Sequence, residues 1–233
     1  MKHFKDLSRK RIAGATISAV MALACAIGLY CMEFSVDASD AHRLETAIEE
    51  YNQGRLEADV VETVTVGKYL FAYYLKTDDP GGHGLAKLER GLLGRYRFHH
   101  TNLSQWPLYA GVTEEIRGRD YLLLYGKYDL PGVASYKAVD YLGNVLYEGA
   151  AESAPFLRLV ELVDSAEFFP MDVAVYYDAE GREVDESELY HALTNAASSQ
   201  SGSVSSAEMG MVYVFMASVL AVGWLFVRYF LLP

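Results

Sequence analysis

Two long apolar runs bracket a polar, acidic middle. Ile12–Met32 carries no charged residue. At about 1.5 Å rise per residue, a helix of that length matches the roughly 30 Å hydrocarbon core of a bilayer. Met209–Val227 is the second such run, and it resumes past Arg228. The pattern predicts transmembrane helices at 12–32 and 209–228, with short ends at 1–11 and 229–233. Within the first run Gly14, Ser18, Ala22 and Ala26 recur every four residues, and Ala217 and Ala221 offer a shorter stripe in the second. Small residues let membrane helices approach closely, so these stripes are expected to pack the spans on each other, on a membrane partner or on a second copy.

Between the runs the periodicity changes. Asp40–Asn52 places Leu44, Ile48 and Tyr51 on one helical face, with Ser39 or Asp40 to cap it and Gly54 to end it. This helix, within 33–57, is expected to form a short N-terminal stalk or to lean on the domain edge. From Val60 onward short strands alternate with turns, which predicts a β domain over 58–193. Lys68–Lys76 is apolar on both faces and too short to span a membrane, which suits a central, doubly covered strand. Arg95–His100 alternates, and Tyr121–Tyr125, Val133–Tyr141, Val145–Tyr147 and Val173–Tyr177 continue in the same manner. The fold class is therefore mainly β: an antiparallel sheet or immunoglobulin-like sandwich between the two apolar helices.

An internal echo supports the hairpins. Asp140-Tyr141-Leu142-Gly143-Asn144 and Asp178-Ala179-Glu180-Gly181-Arg182 share Asp at the first position and Gly at the fourth, each after a tyrosine-rich strand. That is what a type I turn prefers, and the spacing lacks the alternating oxygen ligands of a calcium loop. On these hairpins, Val133–Val184 is similar to the immunoglobulin-like β-sandwich modules of bacterial extracellular proteins. The resemblance covers only turns and strand spacing, so it implies a fold and carries no active site. Glu183–Leu193 reads as a closing helix. The Ser-, Ala- and Gly-rich stretch 194–208 reads as a flexible tether.

Charge orients the scheme. Lys2, Lys5, Arg9, Lys10 and Arg11 precede the first run against Asp6 alone, while the region between the runs holds fourteen basic and thirty acidic residues, a balance of −16. Positive charge beside a first span stays in the cytoplasm, so both termini are expected inside a cell membrane and the domain outside. A cleaved signal peptide, exiting near Val36-Asp37-Ala38, is the rival reading of the N-terminus. An acidic domain repels polyanions, which argues against nucleic acid. Both cysteines, Cys25 and Cys31, fall in the first run, which excludes a disulfide scaffold for the domain. The plain, disulfide-free architecture inclines toward a bacterial envelope protein.

Chemistry-bearing motifs are scarce. His99 and His100 are adjacent, so regular strand alternation would point them to opposite faces. No metal-ligand spacing, nucleophile motif or phosphate loop occurs, and no cofactor is expected. The remaining lead is electrostatic. Lys87–Arg97 is basic, whereas Glu152–Glu188 carries eleven acids against Arg158 and Arg182. One expectation is internal pairing. The other is a cationic face of Arg95, Arg97 and His99, with Trp106 nearby, receiving an anionic group or a partner. The sequence thus points to a noncatalytic, membrane-anchored interaction module, a possible accessory subunit whose partners would be the bilayer and a membrane protein or second copy. The alternative is a membrane-bound envelope hydrolase using cleft carboxylates.

Overall fold

The computed structural model describes residues 9–79, 81–162, 170–194, 202–203 and 209–231. Most of the 1–11 segment and nearly all of the 194–208 tether lie outside them. The chain divides into a helical unit, 1–35 with 205–233, and a β unit, 36–204.

In the helical unit, α1 (Arg9–Glu33) is long and apolar enough to cross a membrane by length and composition. Helix α4 (Met209–Leu231) packs against it. Ala15 and Ala26 are buried, and Gly14, Ser18 and Ala22 are half-buried. Opposite them stands Gly223, whose added Cβ would collide with the Ala22 Cβ. The two backbones approach closely because neither side chain projects. Ala217 and Ala221 are exposed, on a different side of α4 from Gly223.

The β unit begins with α2 (Ala41–Tyr51). Asp40 caps it, accepting from the Arg43 amide at 3.0 Å. Its Leu44 and Ile48 are buried with Leu56, Ala58, Leu70, Ala72, Tyr74, Ala86 and Leu88, so the helix belongs to the core and is not a free stalk.

Strands β1 (Ala58–Val66), β2 (Tyr69–Lys76), β3 (His83–Arg90) and β4 (Tyr96–Ser104) form an antiparallel sheet in sequence order. A second sheet has the order β5 (Ala110–Ile116), β6 (Arg119–Gly126), β9 (Phe156–Leu162). Strands β7 (Ser135–Asp140), β8 (Val145–Ala150), β10 (Met171–Tyr177) and β11 (Glu183–Val184) build a third, in the order β11-β10-β7-β8. Helix α3 (Glu186–Thr194) follows β11. Gly202–Ser203, inside the expected tether, form β12 and pair with Leu103 and Asn102 at the edge of β4.

Period-two alternation distributes these strands among three cores. In β2, Leu70, Ala72 and Tyr74 join the α2 core, while Phe71 and Tyr73 face Leu123, Tyr125 and Leu157 of the second sheet. This matches the doubly covered strand expected from Lys68–Lys76. In β6, Leu123 and Tyr125 take that side, and Leu122 and Leu124 face Tyr136, Ala138, Ala174, Tyr176 and Leu189. Both strands read as continuous apolar runs because each has a core on either face.

Turn chemistry sets the registers. Arg117 and Gly118 join β5 to β6 with φ of 57° and 73°, the left-handed pair that a two-residue type I′ hairpin requires. The two Asp-x-x-Gly turns close β7–β8 and β10–β11. Asp140 accepts from the amides of Leu142 and Asn144 at 2.9 and 2.8 Å, and Asp178 accepts from those of Glu180 and Arg182 at 3.0 and 2.8 Å.

Candidate functional site

Strand β3 carries charge where a core strand ordinarily carries hydrocarbon. Alternation puts His83, Leu85, Lys87 and Glu89 on the face turned toward the second sheet. Lys87 Nζ bonds Glu114 Oε2 at 2.5 Å, and it lies 4.7 Å from the centroid of the Tyr69 ring. Glu89 receives Lys68 Nζ on Oε1 at 2.5 Å, and Arg97 Nη2 and Nε on Oε2 at 2.5 and 2.9 Å. Burial works to raise the Glu89 carboxyl. The hydrogen bonds from Lys68 and Arg97 outweigh it and hold the group below its ordinary range. These charges are neutralised within the domain.

A bulge changes the histidines. Lys87 pairs with His100 and Leu88 with Phe98, leaving His99 as the extra residue in β4. The expected alternation fails there, and the two Nδ1 atoms lie 3.5 Å apart. Burial pushes both imidazoles below their ordinary value. The Lys87 charge adds to this, while Glu114 opposes it.

His83 opens β3 and is fully buried, although its Gly81-Gly82-His83-Gly84 setting has the composition of a turn. Its Nε2 is 2.8 Å from the Trp106 carbonyl, which only accepts, so Nε2 holds the proton. Nδ1 then accepts from the Tyr73 hydroxyl at 3.0 Å. Burial pushes this imidazole down to about 4. It is a neutral structural link tying the Trp106 backbone to the sheet.

The four residues expected to form one contact face occupy three surroundings. Arg95 is half-exposed and reaches Asp37 at 3.5 Å. Arg97 is only 7% exposed and bonded to Glu89, and His99 is in the bulge. Trp106 is 44% exposed, with its ring 5.1 Å from that of Tyr190 on α3. The first basic cluster is thus internally paired, and the exposed aromatic lies elsewhere.

Trp106 and Glu186 border a groove of two adjoining parts, one lined by Gly111, Met171 and Asp172 and the other by Asp185, Tyr190 and His191. Among the described residues no lysine or arginine lines it. Sequence reasoning missed Asp172 and Glu186 as neighbours of Trp106, although the acidic excess of their region was visible. Among the described residues no group of three or more His, Cys, Asp or Glu side chains is arranged to hold a metal ion. No protein-family model, curated protein or solved structure matches this chain.

Proposed function

We propose that the chain is a noncatalytic, membrane-anchored interaction module. In this reading α1 and α4 both span a cell membrane, both termini are cytoplasmic, and the β unit is an exported, sandwich-like domain that serves a membrane assembly. The observation that carries it is the distribution of ionisable groups. Lys87 and Glu114 pair within the fold, and Glu89 takes up both Lys68 and Arg97. The exposed Trp106 stands instead beside carboxylates, and among the described residues no lysine or arginine lines the groove. An exposed aromatic with charged neighbours is the anatomy of a contact site. The hydrolase alternative wants an enclosed cleft, and the part of the groove under Trp106 and Tyr190 is open.

Crosslinking and co-purification of the tagged full-length protein from its native membrane tests the module. A specific membrane partner, lost in Trp106→Ala and retained in Arg95→Glu, is the expected result. Recovery of the protein alone would count against the reading.

A further inference from the structure

We propose that the Trp106 groove receives an arginine side chain presented by a partner polypeptide. The assignment deepens the reading of the β unit as an interaction module and rests on it.

The ledge is pre-organised. The Trp106 carbonyl accepts from His83, its amide donates to Ser104 Oγ at 3.0 Å, and Tyr190 backs the indole. A ring held this way loses little freedom when something stacks on it.

The charges select a cation. Asp172 and Glu186 line the groove, and neither has an ion pair among the described residues. Asp185 lies alongside, with Oδ1 already engaged by the amide and hydroxyl of Ser187. Between Arg158 and Arg228 the sequence has one lysine or arginine, Arg182, and it is held by Asp178 and Glu180. Among the described residues no lysine or arginine lines the groove; its own basic side chain is His191, at the Tyr190 end and away from the part that Asp172 lines. An anion would meet repulsion, and an apolar group would desolvate the carboxylates without replacing their hydration.

A guanidinium satisfies both features at once. Its plane stacks on the indole while its fork of donors meets a carboxylate, and it is more weakly hydrated than an ammonium. One such side chain alone binds weakly, in the millimolar range. The rest of a partner surface would supply the remaining affinity.

The test uses the full-length protein in detergent micelles carrying Trp224→Phe, which leaves Trp106 as the only tryptophan. Its fluorescence is titrated with N-acetyl-arginine amide and, at matched ionic strength, with the uncharged isostere N-acetyl-citrulline amide. The expected result is a saturable response to the arginine compound alone, weakened roughly tenfold in Asp172→Asn/Glu186→Gln. Both substituted side chains are outside the core, and an unchanged circular dichroism spectrum checks folding. An equal response to the citrulline compound, no saturable response to arginine, or an undiminished response in the double variant would overturn the assignment. Recovery of a Trp106-dependent membrane partner together with no arginine response would sink the assignment alone and leave the module standing.

Discussion

Lys87 Nζ and Glu114 Oε2 meet at 2.5 Å between two stacked sheets, one on β3 and the other on β5. Both side chains are largely buried, so each depends on the other for its hydration to be replaced. Lys87→Met leaves the Glu114 carboxylate buried without its cation and is expected to destabilise the domain by about 3 kcal/mol or more. Lys87→Met/Glu114→Leu removes both charges and should recover most of that loss. Urea unfolding of the full chain in micelles, followed by tyrosine near-ultraviolet circular dichroism, compares them. A single variant as stable as the parent would refute the pairing.

His83 predicts an acid sensitivity with a definite sign. Folding lowers its affinity for a proton from the ordinary 6.5 to about 4. Between those pH values the unfolded chain binds more protons, so stability is complete above pH 6.5 and falls as pH drops toward 4. At roughly 1.4 kcal/mol per unit the loss from this residue is about 3 kcal/mol. His99 and His100 are shifted in the same direction and steepen the slope. His83→Gln should flatten the dependence of unfolding midpoint on pH across that window. An unaltered slope would show that His83 does not titrate in this way.

The paired turns differ in what surrounds their aspartates. Asp140 is buried and accepts from two amides and from Asn144 Nδ2 at 2.8 Å, whereas Asp178 is less enclosed and shares an exposed arginine. Asp140→Ala removes three hydrogen bonds made by a buried acceptor and should cost about 2 kcal/mol. Asp178→Ala, where water can substitute, should cost less than about 1 kcal/mol. The ranking of their unfolding midpoints decides the matter, and the reverse order would contradict the hydrogen-bond assignment.

Gly223 governs the approach of α4 to α1. A benzophenone side chain at Ser18 should crosslink to α4, and Gly223→Leu should reduce the yield severalfold because its side chain meets the Ala22 Cβ. Ala221→Leu alters an exposed position and should leave the yield unchanged. Equal yields in the two variants would exclude packing through Gly223.

Much of this architecture is legible in one dimension. The apolar run of α1, the Asp40 cap and the two Asp-x-x-Gly turns are local patterns, each determined by residues a few positions apart. The continuous apolar runs of β2 and β6 likewise announce strands covered on both faces. Strand β3 is not legible in one dimension, because Gly81-Gly82-His83-Gly84 has the composition of a turn and Lys87 and Glu89 have that of a solvated face. Their partners, Glu114 and Arg97, stand on other strands.

Two features belong to the tertiary structure alone. The bulge in β4 exists as a register against β3, and it brings the His99 and His100 rings together where regular alternation would separate them. The Trp106 groove joins side chains from the β4–β5 connection, β10 and α3, which are distant in sequence. The sequence by itself determined the apolar helices, the capped α2, the tyrosine- and valine-rich strands with their Asp-x-x-Gly turns and the surplus of acid near the C-terminal half, because periodicity, capping and composition act over short stretches. Which charges are neutralised and which face solvent was decided only by folding, because a salt bridge depends on distance in space and the strands that supply its ends meet only when the sheets stack.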